Sequence, residues 1–414
     1  MVDFKPIEGV PYSQGRHDYV RIFADLHRAS KDKQVATFRA LCREDLFFLL
    51  YFCCGKHFIN TDFRTAKWWV DRINEVETGP DSGTLDIWSR ATGKSTIITF
   101  GDTLQHLLKN PNERIAIFSY NRAEAKKFLR ELKLAFESNV FLQLWFPEIF
   151  YVNPKRQSPK WSEDEGLFLK RSSTAREGSL EAWGLTDSQP TGRHFTHMVY
   201  DDVVTQEAVR TPGAFELVSN RFSMSKNLGA DRFTERILGT RYDFGDLYGD
   251  LIDKADKGEI SLFVRVRPVV EDWPECEKVH LWTADEIREK EADMRQKGQG
   301  SFVFASQVLC NPVDPENAPF KPEHLKYWTA LPEGYKHWTK YLLIDPAGWD
   351  ERGQASGGDS AAFVVVGVDD TGKWYVLVLT AGEGQFVARV WEREDPSHYG
   401  ESSLPMTDGL DWYF

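Results

Sequence analysis

Cysteine is scarce, with five residues in a chain of 414, at Cys42, Cys53, Cys54, Cys276 and Cys310. So few and so scattered a set excludes a disulfide framework. The adjacent Cys53-Cys54 pair lacks the spacing of a zinc knuckle, and the expectation is core thiols in a reducing compartment. Long apolar runs are also missing: none approaches the ~20 residues of a membrane helix. The N-terminal MVDFKPIEGV shows no basic-then-apolar leader, so a soluble, intracellular protein with no membrane partner is expected. Basic charge is in deficit, 51 Lys+Arg against 63 Asp+Glu for a net charge of -12. That excludes a protein coated in basic charge, although a local basic stripe can sit on an acidic body. There is no internal repeat and no low-complexity segment.

What is present is an ordinary folded composition, 41% hydrophobic, 14% aromatic and 28% charged. The length allows two or three domains. From about Tyr19 to Val76 the apolar spacing predicts helices, with dense stretches at Leu46, Phe47, Leu49, Leu50 and Phe52 and at Trp68, Trp69 and Ile73. After the turn Thr78-Gly79-Pro80-Asp81-Ser82-Gly83 the pattern changes. A strand, residues 84–88, leads through a polar loop into a helix that opens near Lys94 and stops before Pro111. A second strand, 114–118, feeds a basic amphipathic helix over about 123–138. Strand–helix–strand–helix is the signature of a parallel sheet. Further strands are expected at 167–170, 180–185, 196–200 and 234–238, with helices between 202 and 227. Residues 245–320 mix helices and short strands and read as a lid or subdomain, and 326–340 as a linker with aromatic anchors. From Tyr341 a new unit begins, with strands 341–345, 361–368 and 374–379, the last two joined by the turn Asp369-Asp370-Thr371-Gly372.

The sharpest chemical feature is Ser89-Arg90-Ala91-Thr92-Gly93-Lys94-Ser95. Gly-Lys-Ser after a strand and opening a helix is the second half of a phosphate-binding loop. Backbone N–H groups and the helix dipole favour phosphate there. Lys94 would reach the β- and γ-phosphates, Ser95 would hold Mg²⁺, and Gly93 lets the backbone approach. The first glycine of G-x-x-x-x-G-K-[ST] is replaced by Trp88. A helix N-cap with an incidental lysine is the plainer alternative, and the flanking strand and helix weigh against it. Arg90 inside the loop is placed to neutralise charge developing on a γ-phosphate, as an arginine finger in cis. Ser89, Arg90, Ala91, Thr92, Gly93, Lys94, Ser95 and Thr96 are the expected ATP-binding residues.

A nucleotide hydrolase of this layout needs one carboxylate at a strand end for Mg²⁺ and a second to orient water. Met198-Val199-Tyr200-Asp201-Asp202 supplies both, with Asp201 on the metal and Asp202 as the base. Glu is commoner in the second place, and Asp is one methylene shorter. The strand 114–118 fits the subclass that inserts a strand between the two motifs. The strand 234–238 ends in Gly239-Thr240-Arg241, where Thr240 is placed to sense the attacking water or the γ-phosphate.

Together these motifs resemble the large terminase subunit of tailed double-stranded DNA bacteriophages. The family's deviant Walker A loop is similar to residues 89–95, its Walker B to 198–202 and its coupling motif to Leu238-Gly239-Thr240-Arg241. The opening of its RNase H-type nuclease resembles Leu343-Ile344-Asp345 followed by Gly358-Asp359-Ser360-Ala361-Ala362. The resemblance spans roughly Arg43 to Ala381. It implies an ATP-driven motor that packages viral double-stranded DNA into a procapsid and cuts concatemers. The implied partners are DNA, a small terminase subunit and the portal, the implied state a homo-oligomeric ring, and the implied setting the host cell cytoplasm. ATP and Mg²⁺ are the implied cofactors, with Mg²⁺ or Mn²⁺ at a nuclease site that includes Asp345 and Asp359. The family's adenine-reading Gln is absent from Arg43-Glu44-Asp45-Leu46-Phe47.

The nuclease is expected to be incomplete. Two-metal cleavage needs several carboxylates around the cations, yet only about 35 residues follow Leu379. The tail from Val390 is polar, and Glu392, Glu394 and Asp395 read as a solvated charge run. For DNA contact, the basic candidates are Arg122, Lys126, Lys127 and Arg130 on the predicted helix and Lys155, Arg156, Lys160, Lys170 and Arg171 in loops. The expected fold is therefore α/β. A P-loop NTPase covers residues 1–325, with its core at about 40–240, and a partial RNase H-like unit covers 341–414. The rival readings are a helicase or other nucleic-acid-stimulated ATPase, and a non-catalytic prophage fragment that only docks on partners.

Overall fold

Thr84–Trp88 is buried at every position, and so is Ile115–Ser119. Strands covered on both faces belong to the middle of a parallel sheet flanked by helices. The computed structural model describes residues 19–56, 63–187, 189–209, 212–243, 245–298, 300–312, 334–345, 361–369, 373–382, 386–390 and 400–404. The chain divides into two units, Met1–Pro319 and Phe320–Phe414.

The first unit holds one eight-stranded sheet. Its strands are β1 (Thr84–Trp88), β2 (Ile115–Ser119), β3 (Trp161–Ser162), β4 (Gly166–Leu167), β5 (Leu180–Gly184), β6 (Phe195–Asp201), β7 (Gly229–Gly239) and β8 (Phe263–Arg267). The spatial order is β3-β4-β5-β2-β6-β7-β1-β8. From β5 to β8 every neighbouring pair is parallel, while the short β3 and β4 pair antiparallel at one edge.

Two points differ from the sequence expectation. The strand standing between β1 and β6 in the sheet is β7; β2 intervenes only along the chain and lies on the far side of β6. Sequence order cannot reveal this, because each right-handed crossover leaves open on which side the next strand docks. The segment 245–320 also contributes β8, which pairs in parallel with β1 as the outer strand.

Helix signals agree closely with the observed elements. In Arg122–Ser138, Asn121 Oδ1 caps the start by accepting from the Glu124 N–H at 3.0 Å. Ala125, Leu129, Leu132 and Phe136 form its buried stripe. Within Arg43-Glu44-Asp45-Leu46-Phe47, Asp45, Leu46 and Phe47 are buried in the core, Arg43 is partly buried and Glu44 is exposed. Asp45 is buried, takes the Tyr19 hydroxyl and caps Phe48 N at 2.9 Å, while Phe47, Phe48 and Phe52 pack around Tyr19.

The second unit contains the antiparallel meander β9 (Thr339–Asp345), β10 (Ala361–Val368) and β11 (Trp374–Gly382), in the order β11-β10-β9. In a separate two-stranded sheet β12 (Phe386–Val390) pairs antiparallel with β13 (Gly400–Leu404). Asp345 ends β9 opposite Ala362. Asp359 and the run Glu392, Glu394 and Asp395 lie outside the described residues, as does most of the segment expected as a linker.

Candidate active site

Because β6, β7 and β1 run parallel in that order, their carboxyl ends share one edge of the sheet. Asp201 pairs with Leu238, and Ile87 with Gly239. Ligand crevices of open α/β sheets form at such an edge. The loop after β1, the Asp201-Asp202 pair after β6 and Thr240 after β7 all meet there.

The loop 89–93 leaves the strand through positive φ at Ala91 (63°) and Gly93 (90°). A Cβ on Gly93 would stand 2.1 Å from the Trp69 ring, so both backbone conformation and space demand glycine. Thr92 Oγ1 donates to Ser89 O at 2.6 Å, and Trp68 Nε1 donates to Thr92 O at 3.1 Å. The following helix begins at Lys94 and winds as a π-helix over Thr96–Asp102 before Thr103–Lys109 continues as α.

Lys94 is the hub. Its Nζ donates to Thr240 Oγ1 at 3.0 Å and lies 3.1 and 3.2 Å from the two Asp202 oxygens. Burial alone would depress the ammonium, but the Asp202 and Asp201 carboxylates outweigh it and hold Lys94 above its usual value. Asp201 is fully buried. Burial first, then repulsion from Asp202, pushes its carboxyl up to about 7. Its Oδ2 accepts from Thr99 Oγ1 at 2.5 Å. Its Oδ1 is buried with no hydrogen-bond partner. An orphaned buried carboxylate oxygen at this edge fits a hard divalent cation or its water. Asp202 takes a left-handed backbone (φ 47°), which turns its half-exposed side chain toward Lys94.

Arg90 is exposed and held from the last residue of the helix Gly300–Gln307. Its N–H donates to Gln307 O at 2.8 Å and its Nη1 to Gln307 Oε1 at 3.1 Å. Ser89 Oγ donates to Val308 O at 2.5 Å and accepts from Val269 N at 3.0 Å. Ala91 is exposed, and Thr96 is the first residue of the π-helical turn.

The structure thus gathers Lys94, Ser95, Asp201, Asp202 and Thr240. Asp345 belongs to the other unit. Three contributors escaped the sequence reading. Thr99 lies four residues after Ser95, one turn on along the same face, and that spacing was a usable signal. Gln307 and Trp69 are remote in sequence and carried none. The basic candidates other than Arg156, which is exposed, are engaged. Lys126 pairs with Asp164, Lys127 with Glu124, Arg130 with Glu163, Lys155 with Glu137 and Lys160 with Glu165. Arg122, Lys170 and Arg171 donate to backbone carbonyls. Among the described residues one further cluster, Asp102, His106 and His197, has metal-ligand elements. Its imidazoles stack at 4.3 Å, and Arg236 Nε already occupies Asp102 at 2.9 Å, so the group is a packed polar core.

The fold and site define a mixed α/β protein with a mostly parallel sheet and a phosphate-loop-like site at the carboxyl edge. No family model matches the sequence, and no curated protein matches it. Among solved structures the chain is similar to the large terminase of a thermophilic bacteriophage, with TM-score 0.37 and 12% identity over 76% of this chain and 68% of that one. It is similar to the same phage's large terminase in complex with ATP-gamma-S, with TM-score 0.37 and 13% identity over 76% and 67% of the two chains. It is also similar to a large terminase ATPase domain of Thermus phage P74-26, with TM-score 0.36 and 13% identity over 66% and 99%.

Proposed function

We propose that this chain is an ATPase motor of the large terminase kind, coupling ATP hydrolysis to movement of double-stranded viral DNA into a procapsid. The observation that carries the reading is the convergence of Lys94, Asp202 and Thr240 from three separate motifs, with Lys94 Nζ within 3.2 Å of both partners. In the free site the Lys94 ammonium is paired with the Asp202 carboxylate; nucleotide phosphates would take over that role. The N–H groups of residues 91–93 would wrap the phosphates, those of Ser89 and Arg90 being given to Arg267 O and Gln307 O. Ser95 and Asp201 would hold Mg²⁺, which when bound neutralises charge on the phosphate oxygens. Asp202 then turns from Lys94 to the attacking water and holds its proton. Arg90 stabilises charge on the transferring phosphoryl group. Thr240, at the end of β7, reports the state of Lys94 to the rest of the sheet.

In this reading the partners are duplex DNA, a small terminase subunit, the portal and further copies of this chain in a ring, within the host cell cytoplasm. A nuclease centre using Asp345 and Asp359 with Mg²⁺ or Mn²⁺ belongs to the same proposal. Steady-state ATP hydrolysis, with and without linear duplex DNA, tests the motor. Turnover that DNA stimulates and that disappears in Lys94→Ala is the expected result. Equal turnover in both proteins would remove the proposal.

A further inference from the structure

The helix Arg122–Ser138 carries Arg122, Lys126, Arg130 and Lys133 at spacings of four, four and three, which places them in one stripe. All four turn toward one feature, the tip between β3 and β4. Arg122 Nη2 donates to Asp164 O at 2.5 Å, and Lys126 pairs with the Asp164 carboxylate. Arg130 Nη2 reaches Glu163 Oε2 at 2.7 Å, and Lys133 Nζ reaches Glu163 Oε1 at 3.2 Å. Four cations thus face two carboxylates, leaving two positive charges in surplus. The third acid of the tip, Glu165, pairs with Lys160.

The cover is weakly built. β3 and β4 are two residues each at the sheet edge, and β4 joins β5 through one register pair, Leu167 with Leu180. So short a hairpin is marginal by itself. The Asp164 side chain is 69% exposed and Arg130 56%, so these pairs are screened and each contributes little. The stripe extends over twelve residues, eleven steps and about 16 Å of helix. That is the rise of roughly five nucleotides on one strand of a duplex.

We propose that the Arg122–Lys133 stripe is a DNA-backbone contact, and that Glu163 and Asp164 stand on it as phosphate mimics which the duplex displaces. The inference rests on the motor reading for its choice of duplex DNA. The stripe and its acidic cover are observed independently of the nucleotide site.

The test is fluorescence anisotropy of a labelled linear duplex across a salt series, on the full chain without nucleotide. Glu163→Gln with Asp164→Asn is expected to tighten binding about tenfold by freeing two masked cations. The single Asp164→Asn, at an exposed position, is expected to move the same way and guards against misfolding of the double variant. Lys126→Gln with Arg130→Gln is expected to weaken binding and lower the salt slope by about two. Asp285→Asn with Glu289→Gln removes the same charge from another helix and is the control. A hairpin variant that binds no tighter than this control, or a stripe variant with an unchanged salt slope, overturns the proposal. Failure of ATP hydrolysis in an otherwise DNA-binding chain would count against the motor reading alone.

Discussion

Lys94 Nζ donates to Thr240 Oγ1 across 3.0 Å, tying the start of the phosphate-loop helix to the end of β7. The neighbouring Asp202 sits on the same ammonium. One charge therefore joins the three strand ends at which nucleotide, water and the moving part of a motor would meet.

Replacing Thr240 with Val removes one partner of Lys94 and leaves the carboxylates. Nucleotide affinity is expected to stay within about threefold while kcat falls about tenfold, a loss confined to the transition state. Lys94→Ala is expected to lose at least about a hundredfold in turnover. Fluorescent-nucleotide titration beside steady-state hydrolysis separates the two. If Thr240→Val weakened binding and turnover equally, Thr240 would be a ground-state contact.

Gln307 positions Arg90 through both backbone and side chain. Gln307→Leu keeps the shape and removes the amide carbonyl. It is expected to lower kcat about tenfold with little change in KM. The double variant with Arg90→Ala should be no slower than Arg90→Ala alone, because residues acting as a unit are not additive. Additive losses would show that Gln307 acts elsewhere.

Asp86 in β1 and Arg265 in β8 form a fully buried ion pair, with Nε–Oδ1 2.6 Å and Nη2–Oδ2 2.7 Å. Arg265→Met strands a buried carboxylate and is expected to cost about 3–5 kcal/mol in chemical denaturation. Asp86→Leu with Arg265→Met removes both charges and should cost less than the single change. A double variant less stable than Arg265→Met would contradict this account of the strand pair.

His197 is fully buried on β6, with Nδ1 2.6 Å from Thr234 Oγ1 and Nε2 without a hydrogen-bond partner. Burial first, then the neighbouring His106 and Arg236, drives its pKa well below the usual value. The native state therefore resists a proton that the unfolded chain accepts below about pH 6.5. Stability from this group is present above that pH and falls as the solution is acidified, by up to about 1.4 kcal/mol per pH unit. Denaturant midpoints from pH 7.5 down to 5 should show the slope, and His197→Asn should flatten it. An unchanged slope in the variant would assign the acid sensitivity to other groups.

Much of the site was legible because its chemistry is local. Gly93, Lys94 and Ser95 are contiguous, and a strand-to-helix turn leaves them one way to face a phosphate. Asp201 and Asp202 were legible because a run of apolar residues ending in acids marks the carboxyl end of a buried strand. Thr99 was half legible, by its helical spacing from Ser95. Gln307, Trp69 and the Asp86–Arg265 pair were not, since each meets its partner only after the chain has closed on itself.

The strand–loop–helix of residues 84–109, the buried stripe of the basic helix and the change to an antiparallel meander after Tyr341 were written in local pattern. These follow from periodicity, capping and turn chemistry within a few residues. The folded chain alone shows that β7, not β2, separates β1 from β6, that Lys94 is shared between Asp202 and Thr240, and that the basic stripe lies under Glu163 and Asp164. Those facts depend on which elements dock side by side, and docking is settled by burial and charge pairing summed over the whole sheet.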